Sequence, residues 1–175
     1  MFEIRIHSRG GQGGVTAARL LAMASFLDKK HATAAPFYGA ERRGAPVVSF
    51  VRIDDQQIKI YSQIRSPNLI IVLDGSIMDS VDVLQGIQPG GTVLINSPHP
   101  VDLPNVNVLT IDLTGIALSV NLVVAGSPIL NTPVLGALAK MGVITRESAE
   151  AAIRGMFTDE RNVQAAEAAF KELIV

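Results

Sequence analysis

The sequence predicts a single α/β domain with a largely parallel β-sheet, flanking helices and a helical C-terminal third. Short apolar runs typical of buried strands recur between residues 47 and 111. A glycine-rich turn joins the first predicted strand to the first predicted helix, and helical periodicity dominates after residue 112. A chain of 175 residues is long enough to bury a substantial core as one domain.

The first predicted element is a strand, indicated by alternating apolar and charged residues at positions 4–6. Four glycines then occupy five consecutive positions, 10–14, before an alanine- and leucine-rich helix at 15–27. This order is typical of an anion cradle, because glycine lets the backbone approach a ligand and a helix start offers unpaired N–H groups. The alternative is a tight turn whose glycines serve packing alone.

The later elements follow from similar patterns. Residues 32–46 combine prolines, glycines and charges, which predicts a loop. Residues 47–53 and 58–61 are predicted to form an antiparallel β-hairpin near 47–61. Further strands are predicted at 69–73, 92–95 and 106–111, and helices at 76–84, 113–120, 132–141, 146–157 and 161–173.

The glycine turn supplies the first set of candidate ligand-binding residues. They are Arg9, Gly10, Gly11, Gln12, Gly13 and Thr16. The dinucleotide motif does not fit, because position 16 is threonine where that motif needs glycine. A P-loop does not fit either, because the first lysine of the chain is Lys29. The turn therefore predicts contact with a ligand or partner, but not a typical nucleotide site.

A second informative segment is residues 38–46, which contain the sequence Glu41-Arg42-Arg43 between glycines. Two adjacent arginines present donors suited to carboxylate or phosphate. The alternative is an exposed charged loop, and residue chemistry alone favours it, because surface ion pairs contribute only about 0–1 kcal/mol.

No intrinsic catalytic constellation is evident elsewhere. The three histidines lack metal-binding spacing, and no serine lies in a nucleophile elbow. Asp74 and Asn96 each follow an apolar strand and are interpreted as local caps of turns or helices. Asn131 and Thr145 are interpreted as N-caps of the helices at 132–141 and 146–157.

Composition narrows the possible functions. The net charge is −1, with 15 basic and 16 acidic residues intermixed, so no nucleic-acid partner is expected. No apolar run is long enough for a membrane span, and the first residues lack a signal-peptide pattern, so we expect a cytoplasmic protein. The absence of cysteine excludes disulfides and cysteine-held iron–sulfur clusters in this chain. A hydrophobic content of 48% favours burial against other subunits.

The segments RGGQGGVTAARLLA and APFYGAERRGAPVVSFVRI together resemble the gamma subunit, or gamma domain, of 2-oxoacid:ferredoxin oxidoreductases. The resemblance covers nearly the whole chain, so residues 1–175 would form one gamma domain. It implies a complex that converts a 2-oxoacid, coenzyme A and oxidised ferredoxin into acyl-CoA, carbon dioxide and reduced ferredoxin. The Glu-Arg-Arg-Gly-Ala-Pro form is more similar to the pyruvate and branched-chain members, which makes pyruvate the first expectation.

The resemblance also implies a division of labour. Thiamine diphosphate and iron–sulfur clusters would lie on alpha, beta and ferredoxin-like delta subunits, with ferredoxin as electron acceptor, and this chain alone would bind no cofactor. It favours a contact role for Glu41, Arg42 and Arg43, in a loop that faces either the assembled active site or a neighbouring subunit. Arg42 and Arg43, with the donors of the glycine turn, would help to place the coenzyme A phosphates. Two other functions remain open: a free-standing domain that binds a phosphate ligand, and a purely scaffolding protein.

Overall fold

A six-stranded mixed sheet forms the centre of the computed structural model, which describes residues 1–37 and 44–175. The strands are β1 (Phe2–Arg9), β2 (His31–Phe37), β3 (Pro46–Asp54), β4 (Leu69–Val72), β5 (Thr92–Asn96) and β6 (Asn107–Ile111). Their spatial order is β2-β3-β1-β4-β5-β6. The neighbours β1, β4, β5 and β6 run parallel, whereas β3 is antiparallel to both β1 and β2. The predicted α/β class with a largely parallel sheet is confirmed.

The helices of the described part of the chain agree closely with the sequence patterns. They are α1 (Gly14–Leu27), α2 (Leu113–Ser119), α3 (Pro133–Lys140), α4 (Arg146–Met156) and α5 (Arg161–Glu172). The helix predicted at 76–84 is only a short 3-10 helix, Gly75–Asp79. Two short strands, β7 (Val123–Val124) and β8 (Ser127–Pro128), form a separate small hairpin.

Two predictions for the segment between α1 and β4 are wrong. The predicted loop at 32–46 contains the strand β2, and the predicted hairpin near 47–61 does not form, because residues 58–61 are not a strand. The physical reason is that β3 already uses both of its edges, pairing with β2 on one side and β1 on the other. Pro36 is tolerated in β2 because that strand lies at the edge of the sheet.

The core lies between the helices and one face of the sheet. Side chains alternate along β1, so Ile4 and Ile6 are fully buried on the helix side, whereas Arg5 and His7 lie on the opposite face. On that second face a smaller apolar cluster covers β4 and β5, with Ile77 among the residues packed against the strands. The two faces are therefore covered unequally, and the part over β1, β2 and β3 is open enough to form a cleft.

Asp28 connects the end of α1 to the start of α4. Its carboxylate accepts hydrogen bonds from the Thr145 backbone N–H at 2.8 Å and from the hydroxyls of Thr145 and Ser148 at 2.5 and 2.6 Å. Thr145 Oγ1 accepts in turn from the Ser148 N–H at 3.2 Å, which confirms the predicted N-cap. Partial burial alone would raise the pKa of the Asp28 carboxyl, but the hydrogen bonds from Ser148 and Thr145 outweigh it and lower the pKa.

Asp28→Asn is expected to lower the free energy of unfolding at neutral pH by about 1 kcal/mol, because the cap loses its charged acceptor. The folded-state pKa lies below the ordinary value of 3.8, so the contribution is complete above that pH and disappears as pH falls through the folded-state pKa. Urea unfolding of both proteins should show a difference that shrinks steadily below pH 3.8. Asp55→Asn, at an exposed carboxylate, is the control; a difference independent of pH would contradict the expectation.

Candidate functional site

The glycine turn lies at the carboxyl end of β1 and leads directly into α1. Gly11 and Gly13 have φ values of 94° and 89°, a region in which other side chains are strained. Gly13 is the N-cap of α1 and has no side chain to satisfy the N–H groups of the first turn. That turn contains no acidic residue and includes Thr16, so its donors favour an anion.

Packing explains part of this glycine pattern. A Cβ on Gly14 would overlap the Ser8 hydroxyl, and a Cβ on Gly13 would lie 3.1 Å from the Asn131 Cβ. A Cβ on Gly11 would meet nothing within 4 Å. Gly13 and Gly14 are thus required by close contact with the protein itself, whereas the space beside Gly11 is open to a ligand.

Gln12 holds the turn in shape through both ends of its side-chain amide. Its Oε1 accepts from the Arg9 backbone N–H at 2.8 Å, and its Nε2 donates to Asp74 Oδ2 at 2.7 Å. Asp74 also caps the 3-10 helix, accepting from the N–H and the hydroxyl of Ser76 at 3.0 and 2.6 Å. The local capping role expected for Asp74 is therefore confirmed, and the same carboxylate anchors the turn.

The Arg9 guanidinium is also engaged within the protein. Its Nη2 donates to Ser76 Oγ at 2.7 Å, its Nη1 donates to the Gly44 carbonyl at 3.0 Å, and its Nε lies 3.4 Å from Asp74 Oδ2. Partial burial would raise the pKa of Asp74, but hydrogen bonds from Ser76 and Gln12 and the charge of Arg9 lower it, so the carboxyl is ionised at neutral pH. The Asp74 carboxylate neutralises the charge of Arg9. The positive end of the α1 dipole is therefore what attracts an anion to the turn.

The structure joins the glycine turn to the last residues of the second sequence motif. The Gly10 N–H donates to the Ala45 carbonyl at 2.9 Å, and the Gly44 N–H donates to the Gly10 carbonyl at 3.3 Å. The glycine turn is thereby joined to the start of β3, directly after the Glu-Arg-Arg segment in sequence. Glu41, Arg42 and Arg43 themselves lie outside the described residues, so their contact role stays a prediction.

An open crevice of about 490 Å³ lies beside the turn, beyond the carboxyl ends of β4 and β5. This is the edge at which open α/β sheets bind ligands. Gln12, Asp74 and Asn96 line the crevice. Asn96 Nδ2 donates to the Leu73 carbonyl at 2.9 Å, and Asn96 Oδ1 accepts from the Thr114 N–H at 3.2 Å, which confirms its local structural role.

The prediction for Asn131 is wrong. Thr132 is the N-cap of α3, and Pro133 occupies the first turn as expected. Asn131 is only 6% exposed and packs against Gly13, because the chain before α3 runs along the glycine turn. Sequence reasoning also missed Ser76, although an Asp-Gly-Ser sequence at a strand end is a typical turn signal.

Residues 1–37 and 44–175 contain neither a helix suited to cross a membrane nor a cluster of metal ligands. No helix there is both long and apolar enough to cross a membrane. No group of three or more histidine, cysteine, aspartate or glutamate side chains is arranged to hold a metal ion.

Comparison with known proteins gives a match over almost the entire chain. Residues 3–172 match the family described as pyruvate ferredoxin/flavodoxin oxidoreductase. The "pyruvate/ketoisovalerate oxidoreductases common subunit gamma" of Thermococcus litoralis is 45% identical, covering 100% of this chain and 98% of the relative. The "pyruvate synthase subunit PorC" of Methanocaldococcus jannaschii is 46% identical, covering 99% and 98%.

Solved structures agree with these relatives. The crystal structure of the pyruvate oxidoreductase subunit PORC from Thermotoga maritima is similar with a TM-score of 0.84 and 31% identity, covering 99% of this chain and 97% of that one. The similarity in sequence and fold therefore extends from end to end. This chain belongs to the pyruvate ferredoxin/flavodoxin oxidoreductase family.

Proposed function

We infer that the chain is the gamma subunit of a 2-oxoacid:ferredoxin oxidoreductase complex, and we propose pyruvate as the 2-oxoacid. The inference rests on family membership and on similarity to gamma and PorC subunits over their full length. The complex oxidatively decarboxylates the 2-oxoacid with coenzyme A to give acyl-CoA, carbon dioxide and reduced ferredoxin. Residues 1–175 act in it as one non-catalytic gamma domain.

The chemistry of the complex is assigned to partner chains. Thiamine diphosphate and the iron–sulfur clusters belong to alpha, beta and ferredoxin-like delta subunits in the cytoplasm, and ferredoxin accepts the electrons. The chain has no cysteine and hence no thiolate for a cysteine-held cluster, which supports this division.

Within the complex, the glycine turn helps to place the phosphate groups of coenzyme A. The observation that carries this proposal is the hydrogen-bonded junction of Gly10 with Gly44 and Ala45, which directly follow the arginine segment in sequence. Backbone N–H groups of the first helical turn and the Thr16 hydroxyl would donate to a phosphate. The Asp74 carboxylate lines the crevice, whereas the space beside Gly11 is open, so we place the phosphates on the Gly11 side of the turn.

Affinity purification of the tagged chain from its host under anaerobic conditions tests the subunit assignment. The co-purifying proteins are identified, and the preparation is assayed for coenzyme A-dependent reduction of a viologen dye with pyruvate. We expect thiamine-binding and iron–sulfur chains together with that activity, and exchange of the 2-oxoacid then identifies the substrate. A chain recovered alone but binding a phosphate ligand would favour the free-standing domain, and partners without oxidoreductase activity would favour a scaffold.

Arg42→Ala and Arg43→Ala are each expected to raise the KM of the purified complex for coenzyme A about tenfold, because a charge-assisted contact to phosphate contributes roughly 1.5–3 kcal/mol. The KM for pyruvate should change little. Arg19→Ala, at an exposed position of α1, is the matched control. An unchanged KM for coenzyme A in both variants would remove the arginines from the proposed contact.

A further inference from the structure

Arg5 and His7 lie on the floor of a cleft that the proposed function does not use. The cleft has a volume of about 650 Å³ and opens on the sheet face opposite the core helices. Phe37 on β2 and Phe50 on β3 line it from one side, and Asp82 lines it from the other. Its position on the second face of the sheet separates it from the start of α1.

Arg5 is a buried cation without an ion-pair partner in the described part of the chain. It is only 8% exposed, and its Nη2 donates to the carbonyls of Val83 and Gln85 at 2.8 and 2.7 Å. Its Nε has no hydrogen-bond partner. Burial lowers the pKa of Arg5, and the charge of Asp82 acts in the opposite direction without forming an ion pair. Burying such a charge is unfavourable unless a counter-charge is supplied.

Arg52 shows that the same sheet face can neutralise an arginine. It lies on β3 beside β1, and its Nε donates to Glu3 Oε1 at 2.7 Å. Glu3 and Arg52 are opposite each other in the strand register, whereas Arg5 is opposite Phe50. On this face the chain therefore provides the Glu3 carboxylate for Arg52, but only the aromatic ring of Phe50 beside Arg5.

His7 adds two further unsatisfied polar atoms. It is 4% exposed, and neither ring nitrogen has a hydrogen-bond partner among residues 1–37 and 44–175. Burial, and then the charge of Arg5, lower the pKa of His7 to about 4, so the ring is neutral at pH 7 and keeps one N–H donor. Each buried polar group left without a partner costs roughly 1–3 kcal/mol.

The wall of the cleft combines the exposed apolar side chain of Phe37 with exposed polar side chains at Gln63, Arg65, Asp82 and Gln85. Phe37 is 50% exposed although its ring centroid lies 6.4 Å from that of Phe50. Ile60 and Tyr61 are also exposed, and the Ile60 carbonyl accepts from Arg52 on the same face. Exposed apolar groups around a polar centre are typical of a protein contact surface.

We propose that this cleft is a docking site in which a neighbouring subunit of the complex inserts an aspartate or glutamate side chain flanked by apolar residues. The carboxylate would supply the counter-charge of Arg5 and accept the His7 N–H once the side chains of the cleft wall move aside. The apolar neighbours would cover Phe37 and Phe50. Charge complementarity argues for this occupant. The proposal depends on the chain being a subunit of a complex, but not on its contact with coenzyme A.

Photo-crosslinking within the intact complex tests the proposal directly. Gln63→p-benzoylphenylalanine places the probe in the lining of the cleft, and Phe26→p-benzoylphenylalanine places a control on α1, on the other side of the sheet. We expect position 63 to crosslink to a different subunit, in a peptide that contains an aspartate or glutamate. Crosslinking to a second copy of this chain, to a peptide without a carboxylate, or to no subunit would overturn the proposal.

Assembly measurements provide a second test. Phe37→Ser and Arg5→Met are expected to raise the Kd of the purified chain for the remaining subunits at least about tenfold, with Arg5→Lys intermediate because it keeps the charge. The thermal midpoint of each isolated variant is measured in parallel. If Arg5→Met does not fold, the result for Phe37→Ser alone tests the proposal. Phe26→Ser, at a side chain that is 73% exposed on α1, is the control. Assembly of Phe37→Ser with wild-type affinity would contradict the proposal.

Discussion

Gly136→Ala is expected to lower the free energy of unfolding by about 3 kcal/mol, a large fraction of the roughly 5–15 kcal/mol that is typical of a folded chain. Gly136 lies where α3 crosses α5, and a Cβ there would overlap the backbone carbonyl of Ala166 and lie 2.8 Å from the Ala166 Cα. A backbone carbonyl cannot rotate away as a flexible side chain can. The two helices would have to separate, which would open the core around Ala137 and Ala165.

Gly155→Ala is the matched control, because it makes the same chemical change inside α4. A Cβ at that position would meet only Met23 Cε, at 3.8 Å. The higher helix propensity of alanine should therefore raise stability by about 0.5–1 kcal/mol. Urea unfolding of the isolated chain measures both variants. Similar effects of the two substitutions would show that helix propensity, and not the contact of α3 with α5, controls stability here.

Gly14→Ala is expected to damage both the fold and the candidate site. The new Cβ would overlap the Ser8 hydroxyl and lie 2.8 Å from the Ser8 Cβ, and Ser8 is buried in β1. The start of α1 must then move away from β1, at a loss of about 2 kcal/mol of stability. If the turn holds the coenzyme A phosphates, the KM of the complex for coenzyme A should rise more than about tenfold. Steady-state kinetics with varied coenzyme A and with varied pyruvate separate this effect from general damage.

A double substitution identifies the contact responsible. Ser8→Gly removes the atoms that the new Cβ would meet, and leaves Ile6 Cγ2 at an ordinary distance of 3.8 Å. We expect Gly14→Ala to cost much less stability in the Ser8→Gly background than in the wild type, which is a coupling in a double-mutant cycle. Equal losses in both backgrounds would mean that the strain lies elsewhere.

The parts of the fold that the sequence predicts well are those determined by local pattern. The continuous apolar runs of β4 and β5 and the cap at Thr145 need no information from distant residues. Strand β2 was missed because its sequence, HATAAPF, has low β-propensity, and its extended form depends on pairing with β3. The predicted hairpin failed for the same reason: the partner of β3 is determined by tertiary contacts.

In the candidate site too, local features are predictable from sequence, whereas contacts between distant residues are not. Its glycines are visible in sequence because only glycine tolerates the φ values of Gly11 and Gly13. The hydrogen bond from Gln12 to Asp74 joins residues 62 positions apart and exists because β1 and β4 are parallel neighbours. Without that pairing, the sequence indicates only a candidate ligand contact for Arg9 and a local cap for Asp74. The charges of Arg9 and Asp74 neutralise each other only because the sheet order places β1 beside β4.

The central position of β1 in the sheet has a consequence for biosynthesis. Of the strands of this sheet, β1 is the first to leave the ribosome, yet its two neighbours, β3 and β4, are complete only once residues 54 and 72 have been made. Asn131, which packs on Gly13, emerges later still. Strand β1 therefore has no partner on either side until β3 is made, and the glycine turn lacks its contact with Asn131 until late in translation. A nascent chain with β1 unpaired exposes apolar residues to other proteins, so its need for chaperones or early partner subunits is greatest before β4 has emerged.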